Sequence, residues 1–289
     1  MKIASNKVTD IARFFKEQLQ DKYEKSELET IIRYCFEEFL NVQYFDVSAH
    51  KNDTVSESEL LKFNFAVKDL KTEKPLQYIF GKADFYGLKL IVNEYVLIPR
   101  PETEELVDLI ISDLKKTKNP LTIIDIGTGS GCIPIALKKN ISNAIISAMD
   151  ISGNALTVAA QNAVLNQTEI TFINDNILSP ALHYAAASFD VIVSNPPYIR
   201  ISEKEKMHAN VLSYEPHLAL FVNDRDPLLF YNAIADFALK TSKRGGSIYF
   251  EINENFGPEA QQLMEQKGFK NIVLVKDMSN KNRILRGMY

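Results

Sequence analysis

A short polar segment after an apolar run is the part of the sequence best suited to chemistry. The run Phe189–Ser194 predicts a strand buried on both faces, and it stops at Asn195-Pro196-Pro197-Tyr198. Each proline removes a backbone donor and favours an extended residue before it, which leaves the Asn195 side-chain oxygen and the Pro196 carbonyl without a neighbouring strand. Such acceptors beside an aromatic ring suit a flat group that carries an NH2. The alternative is a strand that ends in a proline turn with a packed tyrosine.

A glycine-rich loop predicts a second part of the site. The strand-like run LTIIDI ends at Asp125 and Ile126, and a loop follows that consists of Gly127, Thr128, Gly129, Ser130 and Gly131. Glycines let the backbone turn tightly and approach a ligand. Their spacing is G-x-G-x-G, which differs from the G-x-G-x-x-G of dinucleotide-binding folds. A tight turn without any ligand is the alternative.

The acids around this loop indicate which ligand it would hold. Asp150 ends the next predicted strand, where a carboxylate can accept both hydroxyls of a ribose. Asp125, just before the glycines, suits a ligand with a positively charged end. S-adenosyl-L-methionine, an adenosine joined to an amino acid through a sulfonium, fits the loop and both acids.

Alternating strands and helices would position these segments. From residue 99 to residue 289, strand-like and helix-like runs alternate, which implies a mostly parallel sheet with helices on both faces. One of these helices is predicted to open at Pro101, where a proline and following acids favour a first turn.

The part of the chain before residue 99 has a different pattern. Residues 1–74 show apolar residues at helical spacing and predict a small helical bundle. Two of its predicted helices carry capping-box patterns, which are Ser26 with Glu29 and Ser56 with Glu59. Residues 75–98 contain short β-type runs punctuated by Gly81 and Gly87, and they predict a β-hairpin connector.

Composition excludes several functional classes. The chain has 289 residues, of which 24% are charged, and a formal net charge of −4 argues against a broad nucleic-acid-binding surface. Cys35 and Cys132 are the only cysteines, and neither they nor the four histidines have metal-ligand spacing, so we expect no metal. No run of about 18 apolar residues and no signal peptide is visible, so we expect a cytoplasmic protein without membrane contact.

Several segments together resemble a known family. The segments DIGTGSG, AMDIS and SNPPY resemble class I methyltransferases that act on a planar nitrogen. IPRPETEEL, YEPHLALF and DMSNKNRILRG narrow the resemblance to the release factor glutamine methyltransferases (the HemK/PrmC family), from about Leu76 onward. This implies an α/β fold: a Rossmann-like class I methyltransferase domain with a mostly parallel seven-stranded sheet, a small N-terminal helical bundle and a β-hairpin connector.

The resemblance also implies roles for individual residues. The loop Gly127–Gly131 would surround the methionine part of S-adenosyl-L-methionine, and Asp150 would bind the ribose. Asp175 and Asn176 stand where family members often have an acid followed by an aromatic near the adenine. The segment that would hold the substrate glutamine consists of Asn195, Pro196, Pro197 and Tyr198. Of these, Asn195, Pro196 and Tyr198 are the catalytic candidates, and Asn195 would also border the cofactor.

The implied substrate is the glutamine in the Gly-Gly-Gln motif of class I peptide chain release factors, methylated on its side-chain amide nitrogen. We expect these release factors as partners, no direct nucleic-acid contact, and a monomer. Three other functions stay open: a ribosomal-protein glutamine methyltransferase, an adenine-N6 nucleic-acid methyltransferase, and a non-catalytic module that docks a translation factor. The nucleic-acid enzyme would need a basic groove, against which the acidic composition counts. The intact glycine loop and NPPY segment argue against the non-catalytic module.

Overall fold

Two structural units are present in the chain. The computed structural model describes residues 3, 5–115, 117 and 119–289. One unit comprises Met1–Gly81 and His208–Tyr214, and the other comprises Lys82–Met207 and Glu215–Tyr289. The helices are α1 (Val8–Leu19), α2 (Lys25–Leu40), α3 (Glu57–Leu70), α4 (Leu76–Phe80), α5 (Pro101–Leu114), α6 (Cys132–Asn140), α7 (Gly153–Leu165), α8 (Ala209–Tyr214), α9 (His217–Leu220), α10 (Leu229–Thr241) and α11 (Gly257–Gln266), with short 3-10 helices at Ile201–Lys206 and Glu254–Phe256. The strands are β1 (Lys82–Phe85), β2 (Leu88–Ile91), β3 (Thr122–Ile126), β4 (Ile145–Asp150), β5 (Thr171–Asn174), β6 (Phe189–Ser194), β7 (Ile199–Arg200), β8 (Phe221–Val222), β9 (Ser242–Glu251), β10 (Lys270–Lys276) and β11 (Asn282–Met288).

A helical bundle forms the first unit, which confirms the prediction for the N-terminal part of the chain. Helices α1, α2 and α3 contribute Phe15, Phe36 and Phe63 to one fully buried core. The ring centroid of Phe63 lies 6.1 Å from that of Phe15 and 4.6 Å from that of Phe36. Aromatic rings at these separations stabilise the fold by more than their buried area alone would provide.

The two predicted capping boxes have different outcomes. At α3 the Ser56 side chain accepts a hydrogen bond from the Glu59 backbone, and the Ser56 backbone donates to the Glu59 carboxylate at 2.7 Å, as predicted. The prediction for Ser26 was wrong. Helix α2 begins at Lys25, two residues earlier than an N-cap at Ser26 predicts, because the Leu28 amide donates to the Glu24 carbonyl and draws Ser26 into the first turn.

The segment predicted as a β-hairpin connector contains a helix and a hairpin. The prediction of β-type runs directly after Pro75 was wrong for Leu76–Phe80, which form α4. The Ile79 amide donates to the Pro75 carbonyl, and Gly81 ends the helix at a φ of +68°, which glycine tolerates best. Strands β1 and β2 then form the antiparallel hairpin. The two units divide after Gly81 rather than after residue 74, and the hairpin groups with the second unit.

A seven-stranded sheet organises the second unit and confirms the predicted fold class. The strand order is β10-β11-β9-β6-β3-β4-β5. Strands β9, β6, β3, β4 and β5 are parallel, whereas β11 runs antiparallel to both β9 and β10. Successive residues of β3, Ile123 and Ile124, are both fully buried and enter apolar cores on opposite faces. This explains why the central strands are near-continuous apolar runs in the sequence.

The strand order reverses beside β3. The chain proceeds from β3 to β4 and β5 on one side and then returns to β6 on the other side of β3. In parallel sheets of this kind, ligands bind at the carboxyl ends of the strands where the order reverses. The glycine loop, Asp150 and Asn195 follow β3, β4 and β6, so the fold brings all three to one edge of the sheet.

Candidate active site

A cavity of about 280 Å³ lies at this edge of the sheet. Small-molecule sites in proteins begin near about 300 Å³, so its size is that of a ligand pocket. The predicted site residues that line it are Gly127, Thr128, Gly129, Ser130, Asp150, Asp175, Asn176, Asn195, Pro196 and Pro197. Gly131 and Tyr198 are not among the lining residues. The fold therefore joins the loop after β3, the acid after β4 and the segment after β6 in one pocket.

The glycine loop combines positive φ angles with open space. Gly127 and Gly129 have φ of +77° and +54°, and a Cβ on either would meet no atom within 4 Å. Such a Cβ would project into open space beside a cavity that both residues line. Gly131 has a different role, because its φ is +78° and a Cβ there would lie 3.1 Å from the Cβ of Ala159. Gly131 thus allows α6 to begin while packing closely on α7.

A buried asparagine supports the loop from below. Asn162 on α7 is fully buried and makes three hydrogen bonds to backbone groups. Its Oδ1 accepts from the Ile91 amide at 2.6 Å, and its Nδ2 donates to the carbonyls of Ile91 and Ser130, both at 2.9 Å. The side chain therefore joins the β1–β2 hairpin to the glycine loop.

Asp150 is fixed with both oxygens directed at the loop region. One carboxylate oxygen accepts from the Gly129 amide at 2.8 Å, and the other accepts from the Ser152 amide at 2.9 Å. Burial raises the pKa of Asp150, and these backbone hydrogen bonds act in the opposite direction. A carboxylate oxygen can accept more than one hydrogen bond, so capacity remains for the hydroxyls of a ligand.

Asp125 lies beneath the loop and is fully buried. Neither of its carboxylate oxygens has a hydrogen-bond partner among the described residues, and the same holds for the nearby Thr128 hydroxyl. Burial raises the pKa of Asp125 to about 7, and the nearby Thr128 hydroxyl acts in the opposite direction. An unpaired buried acid is costly, and a positive charge nearby would offset that cost. The sequence-based expectation of a cationic ligand is therefore compatible with the site, although Asp125 itself does not line the cavity.

The side chain of Asp175 holds its own loop in place. One oxygen accepts from the amides of Asn176 and Ala181, and the other accepts from the Leu182 amide and the Tyr184 hydroxyl, at 2.8–3.2 Å. Burial alone would raise the pKa of Asp175, but these donors lower it overall. With two donors on each oxygen, the carboxylate stabilises the loop that borders the cavity.

The segment after β6 presents an amide with a defined orientation. The Asn195 Nδ2 group donates to the Thr103 hydroxyl at 3.2 Å, which leaves Oδ1 to accept from a ligand. Pro196 and Pro197 line the cavity. The Tyr198 hydroxyl instead donates to Glu251 at 3.0 Å, and burial raises the pKa of Tyr198 well above its usual value.

Comparison with known proteins identifies the family. The family model described as Methyltransferase small domain matches residues 104–215, and the PrmC N-terminal domain model matches residues 10–81. A protein of Flavobacterium psychrophilum named release factor glutamine methyltransferase is 45% identical over 94% of this chain and 95% of its own. The chain belongs to the release factor glutamine methyltransferase family.

A second sequence relative agrees with the assignment to this family. A release factor glutamine methyltransferase of Bacteroides thetaiotaomicron is 39% identical over 95% of this chain and 98% of its own length. A solved structure from Alicyclobacillus acidocaldarius, named as a release factor-specific protein-(glutamine-N5) methyltransferase, aligns with a TM-score of 0.41 at 25% identity, over 66% of this chain and 93% of that chain. The resemblance stated from the sequence motifs is confirmed by the sequence relatives.

Two buried acids near the site were not predicted from the sequence. Glu215 is buried, with its carboxylate 2.5 Å from Arg100 and 3.2 Å from the Ile98 amide. The pair joins the segment IPRPETEEL to YEPHLALF, which the sequence analysis used only as family signatures. Glu251 is 1% exposed and accepts from the Thr103 hydroxyl at 2.6 Å. A lone acid at the end of an apolar strand, as in GGSIYFEI, is the signal that could have identified Glu251.

Phe230 and Tyr95 also line the cavity and were not predicted. They supply aromatic surface that the loop containing Asp175 and Asn176 does not provide. In the part of the chain that the structure describes, no group of three or more His, Cys, Asp or Glu side chains is arranged to hold a metal ion. Across the same residues, no helix is both long enough and apolar enough to span a bilayer.

Proposed function

We propose that the protein transfers a methyl group from S-adenosyl-L-methionine to the side-chain amide nitrogen of the glutamine in the Gly-Gly-Gln motif of class I release factors. The single observation that supports this best is the Asn195 amide. It lies in the same cavity as the glycine loop and Asp150, and its NH2 is bonded to Thr103 so that its oxygen is available to a ligand. The names of the sequence relatives support the same substrate.

The cofactor side of the cavity has groups suited to each part of S-adenosyl-L-methionine, which supplies an electrophilic methyl group on a sulfonium. Asp150 would bind the ribose hydroxyls, because its carboxylate is already oriented by two backbone donors. Gly127 and Gly129 leave room for the methionine part. The negative charge of Asp125 beneath the loop favours a cationic ligand. The loop that begins at Asp175 and Asn176 would border the adenine.

The substrate side has acceptors suited to an amide. An amide nitrogen is a poor nucleophile because its lone pair is delocalised into the carbonyl. The Asn195 Oδ1 and the Pro196 carbonyl would accept its two N–H groups and hold the nitrogen toward the methyl group. Orientation of this kind can lower a barrier by up to about 7–11 kcal/mol in favourable cases. The same acceptors favour positive charge as it develops on the nitrogen.

The first unit is the part of the protein that we assign to docking of the release factor. It matches the PrmC N-terminal domain model over residues 10–81, and none of its described residues lines the cavity. The proposal includes a monomer that acts in the cytoplasm, where release factors work, without direct contact with nucleic acid or membrane.

The decisive experiment is methylation of a defined substrate. The protein is incubated with S-adenosyl-L-methionine and a full-length class I release factor, and peptide mass spectrometry locates any added methyl group. The matched control is the same release factor with its Gly-Gly-Gln glutamine replaced by asparagine. Ribosomal proteins and adenine-containing DNA are tested in parallel. We expect methylation only of the intact release factor, at that glutamine; methylation of ribosomal protein or adenine alone would refute the proposal.

A further inference from the structure

A chain of hydrogen bonds runs from the substrate side of the cavity into the protein interior. The Asn195 Nδ2 group donates to the Thr103 hydroxyl at 3.2 Å, and that hydroxyl donates to Glu251 Oε2 at 2.6 Å. Glu251 Oε1 accepts from the Tyr198 hydroxyl at 3.0 Å. Thr103 and Glu251 are 2% and 1% exposed, so water does not compete for these bonds.

The folded chain brings these residues together from distant positions. Strands β6 and β9 are parallel neighbours in which Ser194 pairs with Phe250. Asn195 and Glu251, the residues that follow, therefore lie at the same edge. Thr103 comes from the first turn of α5, two residues after Pro101.

The direction of the hydrogen bonds follows from the chemistry of Glu251. An ionised carboxylate can only accept, whereas a threonine hydroxyl has one hydrogen to donate. Once that hydrogen is directed at Glu251, the hydroxyl can only accept from Asn195. The Asn195 side chain must then turn its NH2 toward Thr103 and its oxygen toward the cavity.

Two hydroxyls and a guanidinium stabilise the ionised form of Glu251 against the effect of burial. Burial raises the pKa of Glu251 overall, and the hydroxyls of Thr103 and Tyr198 and the charge of Arg283 act in the opposite direction. The negative charge of Glu102 on α5 raises the pKa of Glu251, as burial does. A buried acid is seldom the most stabilising choice, because an apolar side chain of similar size often does as well or better. Its presence next to the cavity therefore calls for a role other than stability.

We propose that Glu251, acting through Thr103, is a positioning residue that fixes the Asn195 amide with its oxygen toward the substrate nitrogen. The inference rests on the proposed glutamine methylation. An inverted Asn195 amide would present its NH2 to the NH2 of the substrate, donor against donor. The Thr103–Glu251 pair excludes that arrangement before substrate arrives.

Substitutions at Thr103 test the inference most directly. Thr103→Val removes the hydroxyl and keeps the shape, whereas Thr103→Ser keeps the hydroxyl. We expect kcat for release factor methylation to fall about 10- to 100-fold in Thr103→Val. This loss is smaller than the roughly 10²–10³-fold loss seen when a direct transition-state partner is removed. In Thr103→Ser, kcat should stay within about threefold of the wild-type value. Cofactor affinity, measured by calorimetry, should be unchanged in both variants. Retained binding also shows that the cavity of each variant is folded.

Glu251→Leu supplies a second test if Thr103→Val proves unstable. It removes the acceptor, so that the Thr103 hydroxyl becomes free to donate to the Asn195 oxygen and to invert the amide. The matched control is Tyr231→Phe, which removes a buried hydroxyl that contacts the Glu251 backbone carbonyl at 3.4 Å. Both variants should remain folded, as calorimetric cofactor binding would show, but only Glu251→Leu should lose methyl transfer.

A measurement without turnover separates this inference from the proposed function. With 15N-labelled asparagine, the Asn195 side-chain NH2 is assigned by its loss in Asn195→Ala, and its hydrogen exchange with water is followed by NMR. We expect slow exchange in the wild type and in Thr103→Ser, and fast exchange in Thr103→Val. If the exchange is slow in the wild type and fast in Thr103→Val, but the protein methylates no glutamine, the proposed function is refuted and the amide orientation is supported. Exchange unaffected by Thr103→Val, or full activity of that variant, would overturn the inference.

Discussion

Replacement of Asp125 by asparagine should stabilise the ligand-free protein above pH 7. Asp125 is fully buried, and its carboxylate oxygens have no hydrogen-bond partner within the described chain. Burial raises its pKa from 3.8 to about 7. Because the folded-state pKa is the higher one, the protonated acid stabilises the fold fully below pH 3.8, and this contribution is lost as the pH rises to 7. The variant Asp125→Asn does not titrate and avoids that loss.

The size of the effect follows from the two pKa values. A rise from 3.8 to about 7 is a difference of about three pKa units. At about 1.36 kcal/mol per unit, ionisation of Asp125 costs the folded state up to about 4 kcal/mol. The asparagine NH2 would itself be buried without a partner, which costs about 1–3 kcal/mol. We therefore expect a net gain of about 1–3 kcal/mol above pH 7, which becomes a net loss of about 1–3 kcal/mol as the pH falls toward 4 and only the cost of the buried NH2 remains.

Urea unfolding of both proteins between pH 4 and pH 8.5, without cofactor, measures this difference. Asp190→Asn is the matched control, for which we expect the opposite change in stability. Burial of Asp190 raises its pKa, but hydrogen bonds from Lys243 and Thr122 lower it overall. That substitution should therefore destabilise the protein at neutral pH. A difference between wild type and Asp125→Asn that stays constant across the pH range would refute the argument, because it would mean that Asp125 does not titrate there.

Substitutions at three further positions test other parts of the site. Asp150→Ala should weaken cofactor binding by roughly 1.5–3 kcal/mol in calorimetry while leaving the fold intact, and unchanged affinity would exclude the ribose role. Asn195→Ala should keep cofactor affinity within about threefold but reduce methyl transfer by roughly 10²–10³-fold. Asn195→Asp should also be impaired in methyl transfer. Near-normal turnover by both variants would refute the role of Asn195. Asn162→Ala leaves three backbone groups of Ile91 and Ser130 without partners and should lower the free energy of unfolding by roughly 3 kcal/mol, whereas a loss below about 1 kcal/mol would mean that water replaces the side chain.

Much of the fold could be predicted because its central strands have a local signal. Ile123 and Ile124 are buried on opposite faces, and such runs stand out in the sequence. Strand β11 was not predicted, because its place depends on pairing with β9 and β10 rather than on its own pattern. The helix Leu76–Phe80 was mistaken for a β-type run, since five residues rich in aromatic and branched side chains favour a strand by composition.

The site shows the same division between local and distant signals. The glycine loop, Asp150 and Asn195 each follow a strand, so their meeting could be predicted from parallel topology alone. The contact between Thr103 and Glu251 joins residues 148 positions apart, and no spacing in the sequence indicates it. The orientation of Tyr198 toward Glu251 likewise depends on the neighbouring strand.

The helical unit is completed by a segment that is synthesised late. His208–Tyr214 groups with Met1–Gly81, and the Tyr214 hydroxyl donates to the Thr72 carbonyl at 3.0 Å. At ribosomal rates of about 5–20 residues per second, the residues between Gly81 and Tyr214 take roughly 7–27 s to add. During that interval β3–β6 are synthesised, while the unit that precedes them still lacks α8. A fragment that ends at Gly81 would remain in this incomplete state permanently.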